Sequence, residues 1–369
     1  MCVRKEILLK EQGLIKRLTD KTFNLDEKIA KGFYTAKYFL KVKEIVGKHL
    51  PNQRVTMQFF QRHDDVMLCG VDESIAIIHK FATNPQNLEI YALNDGDMIS
   101  ANEPVLKISG AYEDFGWLEN IIDATLTRRS SVATNVYRTL KVANGKIVFS
   151  MADRQDEIVT QIGDGYATYV AGIDRVSTDA QGFWWGGTGM GTMPHALIQM
   201  CEGDVVKACE IYATTFPDEQ VTALVDYNND VITDAIKAAN ALKDRLGAVR
   251  VDTSKNLIDR FFDGKDVSGF DPHGVCRELI FALRDELDIH GFNHVKIVVS
   301  SGFTPEKIAE FERYGTPVDI YGVGSYSVIN TTCGFTGDLV GLNGKAQAKF
   351  GRQNISSNRL EKVEFIDKI

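Results

Sequence analysis

Residues 294–325 read HVKIVVSSGFTPEKIAEFERYGTPVDIYGVGS, and this stretch decides the fold class. Two apolar, β-branched runs, VKIVV and VDIYGV, flank a segment of helical periodicity, TPEKIAEFERYG. A strand, a helix and a second strand in this order form the repeat of a parallel sheet, because parallel strands need a crossover connection. Further strand-like runs occur upstream in KIVFSM, DRVST, VTALVDY and AVRVDT. The pattern predicts a parallel α/β sheet, either closed as a barrel or doubly wound.

The residues at the carboxyl ends of these predicted strands favour the barrel. Polar side chains or glycines recur there, namely Arg154, Ser177, Asp226, Asp252, Ser300-Ser301-Gly302 and Gly322-Val323-Gly324-Ser325. In α/β barrels the chemistry takes place at that edge of the strands.

The sequence on either side of the repeat has a different character. Between about 55 and 110, short strand-like runs are separated by turn signals such as Asn94–Asp97, which predicts a small α+β unit. The stretch TGDLVGLNGKAQAKFGR, which begins at Thr336, reads as a hairpin around Asn343-Gly344. We expect it to pack back onto the N-terminal unit.

Composition excludes several classes of protein. A net charge of −8 over 369 residues argues against a broad electrostatic grip on nucleic acid. No apolar run approaches the roughly 20 residues that span a bilayer, and the N-terminus lacks a secretory apolar region, so we expect a cytoplasmic protein without a membrane partner. The six cysteines, among them Cys2, form no CxxC pair, which predicts reduced and mostly buried thiols.

Two glycine-containing strand ends are candidates for binding phosphate. Ser301 and Gly302 precede one helix, and Gly322, Gly324 and Ser325 end the next strand. Backbone N–H groups in such loops approach an anion closely, and a helix N-terminus favours negative charge. The alternative is a pair of tight turns.

Charged residues on two other strands are candidates for catalysis. Asp226 ends TALVD, and Asp252 ends VRVD with Arg250 on the same face of the strand. Arginine binds carboxylate or phosphate in bidentate fashion, and a carboxylate holds ribose hydroxyls or hydrated Mg²⁺. A structural Arg250–Asp252 pair is the alternative.

His195 stands apart from the other histidines. It follows a glycine-rich stretch, GFWWGGTGMGTMPHALI (182–198), and lies where a helix is predicted to begin. An imidazole there can act as a nucleophile or carry a proton. Trp184 and Trp185 beside it are core residues or a lid over a flat ring. We predict no metal-ligating set of side chains, since His290 and His294 flank a glycine and a strand start.

Taken together, these motifs resemble the nicotinate phosphoribosyltransferase family in its compact form, a type II phosphoribosyltransferase. The resemblance runs along roughly residues 30–350. It rests on GTMPHAL (191–197), GAVRVDT (247–253), ELDIHGFNHVKIVVSSGF (286–303), VDIYGVGSYS (318–327), YFLKVKEIV (38–46) and DGDMISANEPVLKISGAYEDFGWLEN (95–120).

The resemblance implies an irregular (β/α) barrel with an α/β sandwich domain built from N-terminal and C-terminal segments. The implied boundaries are 1–125 for the sandwich, 126–334 for the catalytic barrel and 335–369 for the returning segment. It also implies a homodimer or higher homo-oligomer with active sites near the subunit interface.

The implied reaction joins nicotinate to phosphoribosyl pyrophosphate, releases pyrophosphate, and is coupled to ATP hydrolysis in NAD salvage, with Mg²⁺ as cofactor. His195 would be the phosphorylated histidine, and Asp226 and Asp252 would steady ribose, metal or developing charge. The 5-phosphate would lie on the loops that carry Ser301, Gly302, Gly322, Gly324 and Ser325. The substrates would be contacted by Arg154, Arg250, Tyr38, Ser177 and Thr192, with Tyr38 stacking on the pyridine ring across the dimer.

The chain departs from the family pattern in one segment that matters for substrate choice. Where the family has an aromatic residue and two adjacent arginines, this sequence reads Met151-Ala152-Asp153-Arg154. Asp153 would repel an anionic ring if it faced the pocket. Transfer to nicotinamide or another ring, and a ligand-binding homologue without turnover, are therefore the alternatives.

Overall fold

The structure is a computed structural model that describes residues 3–329 and 331–364, so Cys2 lies outside the described residues. The helices are α1 (Val3–Glu11), α2 (Lys37–His49), α3 (Val71–Phe81), α4 (Tyr112–Phe115), α5 (Glu119–Val142), α6 (Gln161–Val170), α7 (Asp179–Gly182), α8 (His195–Met200), α9 (Val205–Thr215), α10 (Val231–Leu242), α11 (Arg277–Ile289), α12 (Pro305–Arg313) and α13 (Ser325–Ile329). The strands are β1 (Arg54–Phe60), β2 (Val66–Met67), β3 (Glu89–Ala92), β4 (Met98–Ile99), β5 (Leu106–Ala111), β6 (Ile147–Ser150), β7 (Val221–Leu224), β8 (Leu246–Val251), β9 (Lys296–Val299), β10 (Ile320–Val323), β11 (Thr336–Leu342), β12 (Lys345–Ala346) and β13 (Glu361–Lys362).

One sheet is antiparallel and combines both ends of the chain. Its strand order is β12-β11-β1-β5-β3-β13. Met57 on β1 pairs with Ile108 on β5 and with Leu339 on β11, so a strand from residues 336–342 lies beside one from residues 54–60. Burial alternates strictly along β5, as expected of a sheet with one face covered.

The second sheet is parallel, with the order β6-β10-β9-β8-β7. Single-residue bridges extend it beyond β6, from Ser150 to Val176 and from Val176 to Gly189. The predicted strand DRVST is only such a bridge, because the N–H groups of Ser177 and Thr178 donate to the Gln181 side chain instead of a neighbouring strand.

Among the described residues no strand ladder closes the ring between Gly189 and β7. The observed architecture, an antiparallel sheet beside a parallel α/β sheet, confirms the predicted fold class. The domain boundaries remain a prediction.

The long helix α5 joins the two sheets. Its central turns are fully buried even though they carry hydroxyl and amide side chains. Ser130 bonds both backbone groups of Cys69, Thr134 accepts from the N–H of Met67, and Asn135 donates to the carbonyl of Ser327. Polar residues are stable here because each satisfies backbone groups of a neighbouring loop.

Trp184 and Trp185 lie in the core rather than over the site. Trp184 packs edge-on against Phe23 and Tyr166, and Trp185 stacks on Tyr169 with ring centres 4.9 Å apart.

The five cysteines at described positions are buried free thiols, as predicted. Within the described part of the chain, the helices are too short or too polar for any of them to span a bilayer.

Candidate active site

The carboxyl ends of the parallel strands gather the predicted polar residues at one edge of the sheet. Asp226 follows β7, Asp252 follows β8, Ser301 follows β9 and Gly324 follows β10. Because β7 to β10 are consecutive neighbours, these ends form one continuous rim.

His195 and Asp226 form the central pair. His195 is the first residue of α8, and its Nε2 lies 3.1 Å from Oδ2 of Asp226. The imidazole is 43% exposed, whereas the Asp226 side chain is 7% exposed. The hydrogen bond to Asp226 is the main cause that raises the pKa of His195. Partial burial and Arg250 act in the opposite direction, and Asp252 acts with Asp226.

Arg250 and Asp252 both lie near His195 but are not paired with each other. Arg250 donates from Nη2 to the carbonyl of Met193 at 3.2 Å, and Asp252 accepts from the Ser300 hydroxyl at 2.7 Å. The structure thus does not support the alternative of a structural Arg250–Asp252 ion pair. Instead, the hydrogen bond from Arg250 to Met193 holds the segment that immediately precedes His195.

Some of the buried polar atoms that lack a partner among the described residues lie at this same edge. Four of the thirteen are at strand ends of the parallel sheet, namely Oγ of Ser150, Oδ1 of Asp226, Nε of Arg250 and Oγ1 of Thr253. Buried polar groups in folded proteins are almost always hydrogen-bonded, so these four atoms are available to a polar ligand that binds at the rim.

The two candidate phosphate loops differ in geometry. Ser301 and Gly302 both have φ of 72°, so the backbone after β9 turns through two left-handed residues before α12, where Thr304 caps the first turn. Gly324 and the exposed Ser325 lie at the end of neighbouring β10.

Gly322 is buried one step inside β10. A Cβ there would lie 2.6 Å from Cε of Met151 and 3.1 Å from Cβ of Ser300. This glycine makes room for Met151 rather than exposing backbone at the rim.

The loop after β6 lies over the end of β10. Its residue Met151 donates from its N–H to the carbonyl of Val323, and Gln155 lies against Gly324. Arg154, between them, is exposed, and its guanidinium has no partner among residues 3–329 and 331–364. The Ser177 hydroxyl donates to the carbonyl of Ser150 at 2.8 Å, so its visible role is to fix this strand end.

Thr192 and Tyr38 complete the set of predicted residues. Thr192 is exposed in the segment before α8. Tyr38 is 61% exposed on α2, whose main packing partners are α4 and the 3-10 turn Gly116–Leu118. Within one chain, then, the structure assembles the rim residues but leaves Tyr38 on the side of the antiparallel sheet.

Sequence reasoning missed the roles of several residues that shape the site. Ser300 was named only as one of the polar residues at a strand end, and in the structure its hydroxyl donates to Asp252. Gln161 and Gln181 organise the ends of β6 and of residues 174–178, and no sequence pattern distinguishes them from surface glutamines. Among the described residues, no group of three side chains is arranged to hold a metal ion.

The sequence and the fold of this chain are similar to those of known phosphoribosyltransferases. Residues 34–130 match the family model of the quinolinate phosphoribosyl transferase N-terminal domain. A crystal structure of nicotinate-nucleotide pyrophosphorylase from Pyrococcus furiosus is 30% identical, with a TM-score of 0.78 over 94% of this chain and 86% of that one. Human nicotinic acid phosphoribosyltransferase, 17% identical with a TM-score of 0.66 over 87% of this chain and 77% of that one, shares the fold.

Curated relatives match by sequence over a shorter span. Nicotinate phosphoribosyltransferase of Mycobacterium tuberculosis is 24% identical over 273 residues, which are 71% of this chain and 53% of that protein. The enzyme of the same name from Bacillus subtilis is 23% identical over 239 residues, 64% of this chain and 44% of that protein. The chain therefore spans about half the length of the curated relatives it matches.

Proposed function

Because this chain belongs to the type II phosphoribosyltransferase family, we propose that it transfers a phosphoribosyl group to the ring nitrogen of nicotinate. The donor would be phosphoribosyl pyrophosphate, the products nicotinate mononucleotide and pyrophosphate, and the reaction would be coupled to ATP hydrolysis in NAD salvage. The observation that carries the proposal is the rim where His195, Asp226, Arg250 and Asp252 meet, with buried polar atoms left unpartnered.

The chemistry asks for positioning and charge stabilisation more than for a strong base. The pyridine nitrogen already has a lone pair, which forms the new bond to the anomeric carbon while the bond to pyrophosphate breaks. A cationic sugar and an anionic leaving group develop together. Asp252, held by Ser300, would face the sugar, and the free Nε of Arg250 would donate to an anionic oxygen.

His195 suits the role of phosphate acceptor from ATP. With Nε2–H donated to Asp226, the lone pair of the neutral ring lies on Nδ1. That nitrogen would attack the terminal phosphorus of ATP as ADP leaves, and water would later release the phosphate. Phosphate on the sugar would be held by the loops at Ser301-Gly302 and Gly324-Ser325, with Gly322 supplying space behind them.

The residues present fit Mg²⁺ that arrives with substrate. Magnesium in such sites uses one or two carboxylates together with substrate phosphates, and it neutralises the leaving pyrophosphate. Asp226, whose buried Oδ1 has no partner among the described residues, and Asp252 are the carboxylates that would hold it.

The proposal includes a second copy of the chain. Tyr38 is exposed on the side of the antiparallel sheet, so stacking on the ring requires that it come from another subunit. A homodimer or higher homo-oligomer would bring the two together.

A second candidate is transfer to a neutral ring such as nicotinamide. It is favoured by the loop after β6, where the carboxylates of Asp153 and Glu157 have no partner among the described residues and outnumber the one free cation there, Arg154, while Asp156 is paired with Arg128. An excess of carboxylates in the loop repels a ring that carries its own carboxylate, as nicotinate does, but does not repel a neutral ring.

The test uses purified protein with phosphoribosyl pyrophosphate and Mg²⁺, with or without ATP, offered nicotinate or nicotinamide in separate reactions. We expect mononucleotide from nicotinate, stimulated by ATP, and we expect His195→Ala to lose that stimulation. His290→Ala is a matched control, because that imidazole is also 43% exposed and lies at the end of α11.

Other outcomes would assign a different substrate or no reaction to this chain. Turnover of nicotinamide alone would support the neutral ring. Binding of phosphoribosyl pyrophosphate without turnover of either ring would support the ligand-binding homologue and contradict the proposed reaction.

A further inference from the structure

The loop that carries Arg154 is held by two contacts, one on each side of that residue. The carbonyl of Asp153 accepts from Nε2 of Gln161 at 2.8 Å, and the carboxylate of Asp156 accepts from Nη2 of Arg128 at 2.6 Å. The exposed guanidinium of Arg154, which has no partner among the described residues, belongs to the segment between these two contacts.

Arg128 is well suited to anchor the loop because the rest of its guanidinium is fixed. It makes a bidentate pair with the buried Asp164 on α6, at 2.9 and 2.7 Å, and donates from Nη1 to the carbonyl of Val328 on α13. Bidentate arginine–carboxylate pairs are the strongest and most directional of side-chain hydrogen bonds. One side chain of α5 thus ties together α6, α13 and the loop after β6.

Gln161 supplies the second anchor from the other side. Its Oε1 accepts from the Thr178 hydroxyl at 2.8 Å, which links it to the segment 174–178 that carries Ser177. The amide is therefore used at both ends, and rotation about its last bond would break both contacts.

We infer that Arg128 and Gln161 are positioning residues that clamp the loop at Asp156 and Asp153 and so orient Arg154 toward an anionic group of the substrate. The inference rests on the proposed function, in which Arg154 contacts substrate. The clamp also keeps Met151 over Gly322 and Gln155 beside Gly324, so the same contacts shape the phosphate end of the rim.

The experiment combines kinetics with hydrogen exchange on the full chain. Asp156→Asn weakens one anchor, Gln161→Ala removes the other, and Asp288→Asn is the control. Asp288 pairs with Arg284 at 2.6 Å with similar exposure, but on α11, which leads to the amino end of β9.

We expect Asp156→Asn and Gln161→Ala to raise KM for the substrate that Arg154 contacts on the order of fivefold, with kcat nearly unchanged. In the background Arg154→Ala, the same substitutions should have little further effect. Backbone amides of residues 152–157 should exchange faster in both variants than in the wild type. In Asp288→Asn their exchange rates should be unchanged.

The readouts separate the clamp from the reaction. Unchanged exchange over residues 152–157 in both variants, or full additivity with Arg154→Ala, overturns the clamp even if the enzyme is active. If the wild type turns over neither ring, the proposed reaction fails, and the clamp is judged by exchange and by calorimetric binding of phosphoribosyl pyrophosphate. In that case, faster exchange together with weaker binding of phosphoribosyl pyrophosphate in the two variants supports the clamp. Unchanged exchange or unchanged binding overturns the clamp.

Discussion

At the scale of single residues, the pair His195–Asp226 determines how the site should respond to pH. As a nucleophile, His195 must be unprotonated, and its hydrogen bond to Asp226 raises its pKa. Protonation removes the Nδ1 lone pair, so the ATP-coupled rate should fall as pH is lowered through that raised pKa.

Asp226→Asn tests this dependence. The amide cannot stabilise the imidazolium as a carboxylate does, so the acid limb of the ATP-coupled rate should move to lower pH. The measurement is the pH profile of ATP-stimulated product formation, with His290→Ala as control. An acid limb in the same place would show that Asp226 does not set the ionisation of His195.

Residue types at strand ends were the part of the site that the sequence could predict. Asp226, Asp252 and Ser301 each follow an apolar, β-branched run, and the ends of parallel strands meet at one edge by geometry. The sequence could not show that Ser300 holds Asp252, or that Gly322 is small because Met151 lies against it. The first depends on the register of β8 against β9 and the second on the course of the loop after β6, and no periodicity encodes either.

At the scale of elements, the contact between α6 and α7 depends on a missing side chain. Gly165 on α6 lies so close to α7 that a Cβ would come within 2.0 Å of the carbonyl oxygen of Gln181. Since the obstacle is backbone, the two helices would have to separate.

Gly165→Ala should therefore lower the free energy of unfolding by about 3 kcal/mol, the upper end of ordinary overpacking. Gly47→Ala is the matched control, because Gly47 lies on the exposed face of α2, where an added Cβ would meet no atom within 4 Å, and the substitution should stabilise the protein by about 0.5–1 kcal/mol. Urea denaturation followed by circular dichroism measures both. Equal stability of Gly165→Ala and wild type would mean that α6 and α7 separate at no cost.

Elements were predictable wherever periodicity was strong. The strands at VTALVDY, AVRVDT and HVKIVVSS formed as β7, β8 and β9, and the alternation between strand and helix predicted a parallel sheet. DRVST did not form a strand, since the Gln181 side chain satisfies its last two N–H groups. That competition comes from a residue on the following helix, which a strand pattern does not contain.

At the scale of the whole molecule, the antiparallel sheet depends on residues from both ends of the chain. Strand β11 pairs along β1 from Leu342–Val55 to Thr336–Phe60, and Val340 on it is fully buried. Without β11, β1 would become an edge strand whose backbone N–H and C=O groups on that side have no partner.

A chain ended after residue 334 should accordingly lose cooperative unfolding and most of its soluble yield. A chain ended after residue 350 keeps β11 and β12 and loses β13, so it should remain folded with a lower Tm. Thermal melts of the two truncations beside the full chain measure the difference. A cooperative melt of the shorter chain at the temperature of the full chain would show that β11 is dispensable.

The insertion of β11 beside β1 also has a consequence for biosynthesis. Asn343, at the end of β11, bonds the side chain of Gln53, 290 residues earlier in the sequence. At about 5–20 residues per second, the ribosome needs roughly 15–60 s between the two. During that interval one edge of β1 has no partner on the nascent chain, so the parallel sheet can be assembled first and the N-terminal half is the part that most needs chaperone protection.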